Sequence, residues 1–134
     1  MVHENGCWSS FLDSQPVTEG HTLVVPKRHA ERFQDLNREE VESFGHAMEE
    51  TVRLLTKAYG EGINIYSTSG KGTSTSVPHF HVHVIPRRAG DRLWEHGRDQ
   101  SRIVLDRSSG FPRLPVTGEE LRRIAVKITG EGGD

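Results

Sequence analysis

Between Val41 and Tyr59, apolar side chains recur at spacings of three and four: Val41, Phe44, Met48, Val52, Leu55 and Tyr59. That spacing gathers them on one stripe of a helix and turns Glu39, Glu42, Glu49, Glu50 and Arg53 to water. Asn37 supplies a cap, and Glu40, three positions on, can reach back to the cap amide. Gly60 is placed to end the helix. A second helix is expected over 117–129, with Thr117 and Glu120 as its capping pair and Leu121, Ile124, Ala125 and Ile128 on one face. Elsewhere the period shortens to two, and residues 7–13, 21–26, 63–66 and 77–85 read as strands. A short helix is expected at 30–36 and a short strand at 102–105. The last five residues, 130–134, read as a frayed tail. Strands that alternate unevenly with helices fit an α+β fold, an antiparallel sheet of about five strands packed on one long and one short helix.

Composition narrows the function classes. A chain of 134 residues with 33% hydrophobic positions holds one core. A net charge of -2 gives no reason to expect nucleic acid or an anionic membrane as partner. No apolar run is long enough to span a bilayer, and no secretory signal pattern is present. A single cysteine, Cys7, excludes an internal disulfide and a multi-cysteine metal site, and a cytoplasmic setting is expected. What changes the picture is histidine: there are eight, and three fall within five positions.

Those three lie in Val77-Pro78-His79-Phe80-His81-Val82-His83-Val84-Ile85-Pro86. On a strand, His79, His81 and His83 share one face, about 7 Å apart in succession, and Phe80, Val82 and Val84 share the other, apolar one. Three imidazoles in a row suit attack on phosphorus. One unprotonated ring nitrogen serves as nucleophile, a neighbour donates a proton or holds an anionic oxygen, and a third fixes the tautomer. The nearby Ser74, Thr75 and Ser76 offer further donors for phosphate oxygens. Two other readings stand beside this one: a metal held by two of the histidines with a distant ligand, and a sheet face that is histidine-rich without chemistry.

The pattern resembles the histidine triad (HIT) family, whose motif is His-x-His-x-His followed by two apolar positions. The likeness extends to Phe11-Leu12-Asp13, Pro16-Val17 and Gly20-His21-Thr22-Leu23-Val24-Val25-Pro26-Lys27-Arg28-His29, and to Asp35-Leu36 and Glu39-Glu40. It implies a HIT-like fold with its core over 1–91, residues 92–134 forming a C-terminal loop and helix on the same domain. It also implies cleavage at the α-phosphate of a nucleoside phosphate conjugate, through a nucleotidyl-histidine on His81. His79 and His83 would hold phosphate oxygens or the leaving group, and His21 would support His79. Asp13 would grip the ribose, Phe11 and Leu12 would lie near the base, and Ser76, Thr75 and Thr68 would fall at phosphate-contacting places. Family members are usually homodimers. No tightly bound cofactor and no metal site are expected, at most a divalent cation carried by the substrate's own phosphates.

This chain departs from the family in three respects. An N-terminal Cys-x-x-Cys that helps many relatives bind zinc has no match in these residues. Ser74 and Thr75 stand where relatives often carry Gly-Gln, and Thr68 where they tend to carry an amide. The third histidine, His83, is kept, which favours hydrolysis over nucleotidyl transfer. The segments 16–17, 31–33 and 86–91 look most like the fragile histidine triad branch, which hydrolyses dinucleoside polyphosphates, and adenosine is the favoured base. Seven arginines between 87 and 113 could draw in a polyphosphate, and Trp94 could stack on a second base. The alternatives are a nucleoside phosphoramidate hydrolase and a non-catalytic nucleotide-binding module.

Overall fold

Asn37 and Glu40 start the long helix as their spacing requires. The Asn37 side chain accepts from the Glu40 amide at 2.9 Å, and the Glu40 carboxylate accepts from the Asn37 amide at 2.8 Å. The computed structural model describes residues 1–73, 78–94, 100–105 and 111–130. Within them β1 (His3–Glu4), β2 (Trp8–Leu12), β3 (Thr22–Pro26), α1 (Arg38–Tyr59), β4 (Ile63–Tyr66), β5 (Val82–Pro86), α2 (Gln100–Leu105) and α3 (Gly118–Thr129) follow in order. The five strands form one antiparallel sheet, ordered β1-β2-β3-β5-β4. The fold is α+β, as the sequence predicts.

One face of the sheet packs on α1. Trp8, Val24, Phe80, Val82 and Val84 are buried there against Ala47 and Leu55, so the apolar alternates of the histidine segment lie where the two-residue period puts them. Trp8 is fully buried and gives its indole N–H to the Glu40 carbonyl at 2.9 Å. The buried stripe of α1 is rotated from the one read in the sequence: Ala47, Thr51 and Leu55 are buried, whereas Val41 is 47% exposed. Thr51 can occupy a core position because its hydroxyl donates to the Ala47 carbonyl at 2.8 Å and accepts from Ser10 at 2.6 Å. A hydrophobicity pattern does not register such a polar core residue.

The other face of β5 is covered as well. Ile85 is buried with Val17, Leu93, Ile103 and Val104 in a second cluster. Residues 102–105, expected as a strand, belong to the helix α2 instead. A short apolar run is ambiguous between the two states, and here Ile103 and Val104 bury against Ile85 and Val17 without joining the ladder. Arg87 ties this layer down, donating to Asp91 at 2.7 Å and to Asn64 at 2.6 Å, and also to Gln100. Burial works to raise the Asp91 carboxyl, but the Arg87 bonds outweigh it and hold the group below the usual carboxylate range. The short helix expected at 30–36 is a single 3₁₀ turn, Phe33–Asp35.

The last strand begins later than the sequence suggests. The expected strand covers 77–85, of which Val77 lies outside the described residues, while β5 starts at Val82. The register Val24↔Val82 puts Pro26 opposite position 80. Proline has no N–H to continue the ladder, and the Phe80 amide turns to the Ala30 carbonyl at 2.7 Å instead. Of the three histidines, only His83 therefore sits in the sheet.

Candidate active site

Cross-strand neighbours on one face share a side of the sheet. Phe11 pairs with Leu23, and Leu23 with His83. Those three side chains form a row on the face away from α1, with an apolar platform next to the buried imidazole. Leu12, one residue on, points the other way and packs in the α1 cluster. The structure thus separates Phe11 from Leu12, which the sequence reading grouped together, and adds Leu23, which alternation along β3 could have found.

The histidine tautomers follow from groups that have no choice of role. The Val17 amide can only donate, and it points at His21 Nδ1 at 3.0 Å. Nδ1 is therefore an acceptor, and the neutral His21 ring carries its proton on Nε2. Nε2 lies 2.9 Å from His83 Nδ1, so His83 accepts there and carries its own proton on Nε2. His21 therefore holds His83, not His79 as expected from the family resemblance. On His81, Nδ1 lies 2.7 Å from the His79 carbonyl. A carbonyl can only accept, so Nδ1 is protonated and the neutral ring has its lone pair on Nε2. The His81 and His83 rings are 5.0 Å apart, centroid to centroid.

His79 stands apart. Its Nε2 donates to the Pro26 carbonyl at 3.1 Å, and its ring meets His29 edge-on at 5.3 Å. His79 thus anchors the turn before β5 to the end of β3. Ser67, not singled out in the sequence, donates to the His81 carbonyl at 2.7 Å and steadies the same turn from β4. Thr68 lies in a groove with Phe33, Phe44, Ile65 and Phe80 along the sheet edge. Thr75 and Ser76 lie outside the described residues.

Asp13 is buried, with Oδ1 accepting from the Gln15 amide at 2.8 Å and Oδ2 3.6 Å from His21 Nε2. Asp13, His21 and His83 are the one group of metal-ligand side chains close enough to share an ion among the described residues. Their bonding fits a relay better than a ligand set. The Nδ1 lone pair of His21 is taken by an amide, and its Nε2 bears a proton.

The sequence model of the HIT domain matches residues 1–90. A HIT-like protein of Methanocaldococcus jannaschii is 41% identical over 91 residues, covering 68% of this chain and 70% of that protein. The adenosine 5'-monophosphoramidase hnt1 of Schizosaccharomyces pombe is 30% identical over 121 residues, covering 90% of this chain and 78% of its own. Among solved structures, the Caenorhabditis elegans NitFhit protein superimposes with a TM-score of 0.73 at 26% identity, covering 96% of this chain and 26% of that longer one.

Proposed function

The chain belongs to the HIT domain family, and on that premise we propose that it is a nucleotide hydrolase cleaving at an α-phosphate. One observation carries the reading: the His81 Nδ1 proton is committed to the His79 carbonyl, so Nε2 is left as a nucleophile. His81 Nε2 attacks the α-phosphorus, a phosphorus–nitrogen bond forms, and the bond to the leaving group breaks as that group takes a proton from solvent, which the water of the second step returns. Water then attacks the nucleotidyl-histidine, which releases the nucleoside monophosphate and restores the imidazole. His83 is suited to hold a phosphate oxygen, because His21 forces its proton onto Nε2. His79 holds the turn that presents His81.

Phe11 and Leu23, in the row beside His83, are assigned to the base, with adenosine the favoured one. Leu12, turned to the helix side, supports the strand. We assign the ribose hydroxyls to Asp13 on the family resemblance, and its contacts to Gln15 and His21 support a second role in steadying the relay. We assign Ser76, Thr75 and Thr68 to the phosphate on the family resemblance alone. A diadenosine polyphosphate is the first substrate class. A nucleoside phosphoramidate is the second, favoured by the similarity to hnt1 along most of the chain. The working unit is a homodimer. Among the described residues β4 is a sheet edge, whose Ile65 is 53% exposed beside Gly45, Met48 and Val52 of α1, and a second copy can pair there by symmetry. Ile65→Lys is expected to convert a dimer to a monomer in sedimentation.

The test is a panel of adenosine phosphoramidate, diadenosine tri- and tetraphosphate and their guanosine analogues, with products separated by chromatography. Release of a nucleoside monophosphate from at least one supports the reading. Nucleotide binding with no release from any of them makes the protein a binding module.

A further inference from the structure

The chain beyond the matched residues 1–90 converges on one loop. That loop, residues 13–21, joins β2 to β3 and carries the Val17 amide that sets the His21 tautomer. Arg92 donates to the Val17 carbonyl at 2.5 Å and to the Pro112 carbonyl at 2.6 Å, and its guanidinium lies 4.7 Å over the Phe111 ring. The Leu114 amide donates to the Pro16 carbonyl at 2.8 Å. Farther along the loop, Glu19 accepts from Lys127 at 3.1 Å and from the Tyr59 hydroxyl at 2.8 Å. Three points of C-terminal origin thus hold one loop at Pro16, Val17 and Glu19.

Two of those contacts have a geometric consequence. The Pro16 carbonyl and the Val17 N–H belong to the same planar trans peptide unit, so they point in opposite directions. Leu114, by holding the carbonyl on one side, aims the N–H at His21 on the other. Arg92 holds the next carbonyl and blocks rotation of the unit from that end. If the unit turned over, a carbonyl would face His21 Nδ1. His21 would then be protonated on Nδ1 and would present a bare Nε2 to His83, which reverses the relay. We propose that Arg92, together with the Leu114 backbone, is a positioning element for the active site. It fixes the 16–17 peptide and so keeps His83 a donor at Nε2. The catalytic part of this inference rests on the hydrolase reading; the tautomer part does not.

The test reads both parts separately. Histidine ¹⁵N–¹H correlations at neutral pH report the tautomers of His21 and His83 in the wild type, Arg92→Ala and Arg92→Lys. Arg92→Lys keeps a charge over Phe111 but cannot fork to two carbonyls, so it serves if the alanine variant fails to fold. The wild type is expected to show both rings protonated on Nε2. The variants are expected to populate the other His21 tautomer, with kcat lowered about tenfold or more and KM within about threefold. Wild-type tautomers in the folded variants overturn the proposal, and so does a changed tautomer with unchanged kcat. If wild-type protein hydrolyses nothing in the substrate panel, the hydrolase reading fails, while the tautomer shift still decides whether Arg92 fixes the loop.

Discussion

Removing the Glu40 side chain tests how the helix start and the histidine turn are coupled. The Glu40 carboxylate is buried and accepts from the Asn37 amide at 2.8 Å, and from Arg28 Nη2 at 2.7 Å and Nε at 3.1 Å. Arg28 lies in the segment whose Pro26 and Ala30 carbonyls hold His79 and Phe80. Glu40→Ala loses its half of the capping box, about 1 kcal/mol. It also loses the ion pair with Arg28, which adds little because that side chain is half in water. The cap loss of about 1 kcal/mol corresponds to roughly 4 °C in melting temperature for a domain of this size.

Acidity supplies a second check through Glu40→Gln, which retains an acceptor for Asn37 but not the charge. Arg28 hydrogen bonds, aided by the Asn37 amide and opposed by burial, hold the Glu40 carboxyl below the usual range. Because the folded-state value is depressed, the stabilisation is complete above the ordinary glutamate range and disappears as pH falls through the lower, folded one. Urea melts at pH 7 and at successively lower pH should therefore show a gap between the wild type and Glu40→Gln that closes on acidification. Alanine and glutamine variants that both match the wild type at pH 7, or a gap that widens in acid, refute the reasoning.

Gly20 sits at φ +89, and a Cβ there would stand 2.7 Å from Tyr59 and 2.9 Å from Pro86. Gly20→Ala is expected to cost about 3 kcal/mol in chemical denaturation, combining left-handed strain with overpacking. It should also lower activity, because His21 is the next residue; a variant as stable as the wild type contradicts this. Dialysis against a chelator is expected to leave both melting temperature and turnover unchanged, since the Asp13–His21–His83 group is joined by hydrogen bonds. A loss that added zinc restores would make that group a ligand set.

Local periodicity made much of the fold legible. The Asn37–Glu40 pair fixed the start of α1, and the alternation of Phe80, Val82 and Val84 gave the buried side of β5. The histidine row was legible because the motif is dense. What stayed hidden depends on contacts distant in sequence. Pro26 ends the ladder opposite position 80, so His79 leaves the strand, and this requires the β3–β5 register. The tautomer of His83 comes from a backbone amide at Val17, and no side-chain pattern records an amide's direction. Residues 102–105 were misread because a short apolar run fits helix and strand equally until its packing partners, Ile85 and Val17, are known.

The most direct measurement is acid-free quenching of wild-type protein during turnover of an adenylated substrate, followed by intact mass and peptide mapping. A nucleoside monophosphate adduct on His81, absent from His81→Asn, is the expected result. An adduct on any other residue, or undiminished turnover by His81→Asn, contradicts it.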